Sequence, residues 1–73
     1  MYVSVRYWNP MANAYASSPF TYMTNMELVA GDVVLAPTAK QPTGARAIVV
    51  ETFLPAPSFR CKEITERYNP EEG

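Results

Sequence analysis

Leu28-Val29-Ala30-Gly31-Asp32-Val33-Val34-Leu35-Ala36-Pro37, followed after a polar loop by Ala45-Arg46-Ala47-Ile48-Val49-Val50-Glu51, sets the architecture of this 73-residue chain. A Gly-Asp pair between two β-rich apolar runs is where a small barrel turns its chain. Gly31 supplies a positive φ there at little steric cost. Leu28 is placed inward just before the turn, and the Asp32 carboxylate is expected to accept hydrogen bonds from turn amides rather than to act on a ligand. Val33 to Ala36 is apolar on both faces, as in a central strand covered on each side, and Pro37 stops it by removing a ladder donor. Thr38 to Gly44 reads as a polar hairpin loop, and Arg46 to Phe53 as a second central strand.

Upstream, Tyr2 to Trp8 alternates with period two, which turns Val3, Val5 and Tyr7 to a core and Ser4 and Arg6 to water. Asn9-Pro10 ends that strand. Met11 to Ser18 reads as a loop, and Phe20 to Thr24 as a strand with Phe20, Tyr22 and Thr24 on one face. Downstream, Pro55-Ala56-Pro57 imposes an extended link, and Phe59 to Tyr68 fits a short strand better than a helical turn. Short strands without a long helix predict an all-β fold: a small SH3-like barrel, or a strongly curled antiparallel sheet of four to six strands. Closure hides the edges that such a sheet exposes. Residues 1–68 are read as that single domain and 69–73 as an acidic C-terminal tail.

Composition excludes more than it assigns. A chain of this size buries only about 60% of its unfolded surface, so its core has little margin. The formal charge is −1, and about +1 without the tail's Glu71 and Glu72, so no global basic field exists to hold a polyanion. There is no histidine and a single cysteine, Cys61, which removes the usual general base, a Cys-His nucleophile and a zinc site. The glycines at 31, 44 and 73 make no phosphate loop. Glu63 and Glu66 read as a solvated face, and Cys61 as a small apolar residue. No catalytic, cofactor or metal site is expected, and the protein is read as a non-enzyme. A lone thiol, no signal peptide and no apolar run near the roughly 20 residues of a membrane span point to a soluble cytoplasmic protein.

The aromatic residues carry what functional signal there is. Tyr2, Tyr7, Trp8, Tyr15, Phe20, Tyr22, Phe53, Phe59 and Tyr68 are too many rings for so small a core. Trp8 and Tyr15 are expected at the surface, because they lie where strand order ends. Exposed rings near Arg6, Lys40 and Arg46 form a candidate binding surface of Trp8, Tyr15, Phe20, Arg6, Lys40 and Arg46. Such a surface suits the aromatic centre of a protein interface, or the stacking of single-stranded bases; rings that merely cap the barrel ends are the bland alternative.

Phe20-Thr21-Tyr22-Met23, the Gly31-Asp32-Val33-Val34-Leu35-Ala36-Pro37 turn and strand, and Ala47-Ile48-Val49-Val50 together resemble the small N-terminal DNA-binding domain of the primosomal replication-restart helicase. Short uncharacterised phage and bacterial proteins show a similar pattern, ending in a segment like Arg60-Cys61-Lys62-Glu63-Ile64. The resemblance implies a barrel-like β module that holds the 3′ end of a DNA strand, with Phe20, Gly31 and Lys40 at matching positions. Thr21 stands where that family has an acid, and Ala47 where it has a glycine. The first reading is a phage- or bacterial-type accessory protein that binds another protein, with homodimerisation possible. The alternative is a single-stranded nucleic-acid binder.

Overall fold

The computed structural model describes residues 1–69, so the tail expected at 69–73 lies, from Pro70 on, outside the described residues. Seven strands form: β1 (Tyr2–Asn9), β2 (Ala14–Tyr15), β3 (Phe20–Thr24), β4 (Val33–Ala36), β5 (Ala45–Leu54), β6 (Glu63–Ile64) and β7 (Glu66–Arg67). Among the described residues there is no helix. The sheet runs β6-β3-β1-β5-β4-β7, with β2 folded back on β1. Its two outermost strands are separated in sequence by Thr65 alone. One five-residue segment therefore pairs with β3 at one end of the sheet and with β4 at the other, and curls it into a nearly closed, SH3-like barrel. The count exceeds the expected four to six because three of the strands are two residues long. The sheet is also not purely antiparallel, since β6 runs parallel to β3.

Alternation builds the core. Val3 and Val5 of β1, Tyr22 and Thr24 of β3, Val34 and Ala36 of β4, Ala47 and Val49 of β5 and Ile64 of β6 point inward, and Leu28 closes the floor from the turn. Buried apolar surface of this kind, at about 25 cal/mol per Å², is the main force holding so short a chain together. Gly31 adopts φ 100°, its N–H donates to the Val49 carbonyl at 2.9 Å, and the Asp32 carboxylate accepts from the Val29 N–H at 2.9 Å. Gly44 adopts φ 116° against Leu35.

The structure departs from the sequence reading at four places. Ser4, expected in water, is buried, because a small side chain in the middle strand is covered by neighbours on both sides, Thr21 and Glu51. Residues 33–36 are fully buried on one face only; Val33 and Leu35, on the other, are half-buried. Met11 to Ser18 is more than a loop: the Asn9 side chain accepts from the Met11 and Ala12 amides, and the chain returns to pair Tyr15 with Trp8. Residues 59–62 form no strand: the Lys62 carbonyl accepts from the Met23 N–H at 3.0 Å, and β6 itself starts at Glu63.

The β1–β5 pairing shifts register twice, between Val5 and Ser4 and between Ser4 and Tyr2. Each shift leaves one extra residue on β5, and such bulges bend a strand and sharpen its twist. Phe53 lies in the second shift, with φ 54° and its ring 80% exposed.

Candidate functional site

Barrel closure is incomplete at one seam. The outer edge of Phe20–Tyr22 has no strand partner among the described residues, because β6 pairs only with Met23 and Thr24. Side chains span the gap instead. The Tyr22 hydroxyl donates to the Pro37 carbonyl at 2.7 Å, and Tyr7 and Tyr22 hydroxyls meet at 2.5 Å. With the Tyr22 proton committed to Pro37, Tyr7 is the donor in the second bond. Burial pushes the Tyr22 phenol well above its ordinary range, and pairing with Tyr7, beside which a second phenolate would be repelled, pushes it further. Phe20, half-exposed, packs on Tyr7 with ring centroids 4.9 Å apart.

This seam opens as a cleft of about 270 Å³ lined by Tyr7, Phe20, Thr21, Tyr22, Pro37, Thr38, Ala39, Arg60, Cys61 and Lys62. No acid is among the lining residues. Arg60 and Lys62 are exposed and have no ion pair among the described residues, and Lys40 follows the lining residue Ala39. Of the chain's other cations, Arg67 lies 3.9 Å from Asp32, and Arg46 is enclosed by aromatic rings. Cys61 is half-buried in the cleft wall.

The second aromatic cluster lies on the outer face of the sheet. The Arg46 guanidinium carbon sits 4.3 Å from the Trp8 ring centroid, 4.9 Å from that of Tyr68 and 5.6 Å from that of Tyr15. Its Nε–H donates to the Tyr15 hydroxyl at 3.2 Å, and Trp8 meets Tyr15 edge-on at 5.0 Å. The β2 hairpin delivers Tyr15 to Trp8, β5 places Arg46 beside them, and the Tyr68 N–H, bonded to the Val33 carbonyl, fixes the fourth member. Each cation–π contact of this kind contributes about 0.5–1 kcal/mol at exposed sites.

The six predicted surface residues thus divide. Trp8, Tyr15 and Arg46 come together, and Arg6, paired across β1–β5 with Ile48, lies exposed on the same face. Phe20 belongs to the seam cleft, with Lys40 following its lining loop. Trp8 and Tyr15 are half-buried, because they cover each other and Arg46, while Phe53, Phe59 and Phe20 are more exposed. Sequence reasoning missed Tyr7, Arg60 and Lys62. The alternating cations of Arg60-Cys61-Lys62 were the available signal, but nothing local tied them to Phe20.

No protein-family model, curated protein or solved structure matches this chain. The geometry therefore stands alone. Among the described residues no group of three His, Cys, Asp or Glu is placed to hold a metal ion. The seam instead offers the half-exposed Phe20 ring beside Tyr7, hydroxyls, and cations without ion pairs among the described residues, around a cleft with no acid in its lining, a set that can stack a planar group and neutralise an anion beside it.

Proposed function

We propose that this protein is a non-enzymatic binding module, and that the seam cleft takes the end of a single nucleic-acid strand. One observation carries the reading: Arg60 and Lys62, without ion-pair partners among the described residues, line the same cleft as Tyr7 and Phe20. Base stacking on an aromatic ring contributes about 1–3 kcal/mol per base and tolerates any sequence. Thr21, in the cleft lining, adds a neutral hydroxyl that would not repel a phosphate. The Trp8–Tyr15 pair is less suited to bases, since Arg46 already occupies the Trp8 face.

The test is fluorescence anisotropy of a labelled single-stranded oligonucleotide at two salt concentrations. With Lys40, Arg60 and Lys62 each neutralising one phosphate, affinity should fall about 20-fold between about 50 and 200 mM salt. Lys62→Gln should lower the salt slope by about 0.7, and Phe20→Ala should weaken binding at either salt. Absence of binding at the lower salt sinks the proposal.

A second reading, contact with another protein, is favoured by the outer cluster. Trp, Tyr and Arg are the residue types that dominate interface energetics, and Trp8, Tyr15, Arg46 and Tyr68 are already locked against one another. A protein captured by the wild type and lost with Trp8→Ala, at affinity insensitive to salt, would favour this reading.

A further inference from the structure

Past the seam, the end of β3 and the second β5 bulge enclose a cleft of about 460 Å³. Its floor is Leu28 with the side chains of Met1 and Met26, both packed against the core. Its walls are Val29, 63% exposed, and Phe53, 80% exposed, the latter held outward by a positive φ that bulky residues rarely adopt. Methionine-lined surfaces adapt to inserted apolar side chains, and apolar patches with polar rims mark interaction sites.

The rim is acidic. Glu27 lines the cleft, and its carboxylate has no ion pair among the described residues. Glu63 stands beside it, its carboxylate accepting from the Asn25 amide at 3.2 Å. The nearby Arg67 guanidinium is already shared between the Glu27 carbonyl and the Asp32 carboxylate. The Met1 ammonium donates to the Thr24 carbonyl at 2.8 Å. The cleft therefore fits an apolar side chain with a base next to it.

The chain carries such a segment itself. Phe59 is 60% exposed and is followed by Arg60, which has no ion pair among the described residues. Within one molecule Arg60 lines the seam, and neither it nor Phe59 lines the Glu27 cleft. We infer that this protein self-associates by seating Phe59 of one copy in the Leu28–Met26–Phe53 cleft of another, with Arg60 against Glu27. The contact joins the Phe59–Arg60 segment of one copy to a different patch of the other. It buries a ring of the type that contributes most per residue to interfaces.

Sedimentation equilibrium on the full chain tests this, with Phe59→Ser, Glu27→Lys, Arg60→Glu and the double variant Glu27→Lys/Arg60→Glu. All three positions are exposed, and circular dichroism verifies that each variant is folded. The expected result is concentration-dependent association, weakened by about tenfold or more in each single variant and recovered in the charge-swapped double variant. A wild type that stays monomeric to about millimolar concentration overturns the inference, and so does association indifferent to these substitutions or not recovered by the swap. A monomer that takes up a labelled phenylalanine-arginine peptide would likewise overturn it and assign the cleft to a foreign basic segment.

Discussion

Thr24→Val tests what closes the barrel. Thr24 is fully buried, and its hydroxyl donates to the Ile64 carbonyl at 2.9 Å while accepting from the Met26 N–H at 3.0 Å. One side chain thus ties β3 to β6 and to the turn that carries Leu28. Valine keeps the shape but strands both backbone groups where water cannot easily follow. Each stranded group costs about 1–3 kcal/mol, and the added methyl returns somewhat under 1 kcal/mol, so the net loss is about 1–5 kcal/mol, with a midpoint of about 3 kcal/mol. A chain of this length has roughly 4–11 kcal/mol in total, and the melting temperature should drop by about 10–20 °C. Thr24→Ser keeps both bonds, loses only a methyl, and should cost about 1 kcal/mol. Urea unfolding followed by fluorescence of Trp8, the single tryptophan, measures both. If the valine variant lies within about 0.5 kcal/mol of wild type at unchanged m, or is more stable than the serine variant, the role given to this hydroxyl is wrong.

Two other substitutions probe the seam and the turns. Tyr22→Phe removes the bridge to Pro37 and should cost about 1 kcal/mol, less than Thr24→Val because the seam admits water. Because the folded state raises the Tyr22 phenol above its ordinary value of about 10, its contribution is complete below that pH and is lost as pH rises toward the folded value. Melting temperatures between about pH 8 and 11 should therefore fall more steeply for wild type than for Tyr22→Phe, and identical slopes would contradict the assignment. Gly44→Ala places a methyl 2.6 Å from the Leu35 Cβ at φ 116°, whereas Gly31→Ala meets nothing within 4 Å at φ 100°. Equilibrium unfolding should show about 2–4 kcal/mol lost at Gly44 and about 1–2 kcal/mol at Gly31, and equal losses would refute the steric account.

Strand positions, the turn at Gly31 and the inward-facing Leu28 were legible because each is a local demand. Period-two alternation and a positive φ are written in consecutive residues and need no distant partner. The β2 hairpin was not legible, since two residues of pairing leave no pattern in Ala14-Tyr15. The phase of Val33 to Ala36 was hidden for another reason: a run that is apolar throughout gives no alternation to say which face is covered. Phe53 looked like an ordinary strand residue, because a bulge is decided by register against β1 and not by β5 itself.

An all-β chain of short strands, a ring-rich surface and a residue set short of histidine, cysteine and glycine were all written in the order of residues. Those properties follow from composition and near-neighbour chemistry. Which cation meets which ring is set by the folded chain. Curling the sheet brings Ile64 to Thr24 across 40 positions of sequence, and with it Arg60 and Lys62 to Phe20. The same curl encloses Arg46 among Trp8, Tyr15 and Tyr68. Closure is a long-range event whose partners are set by register and twist, and no short window of residues records either.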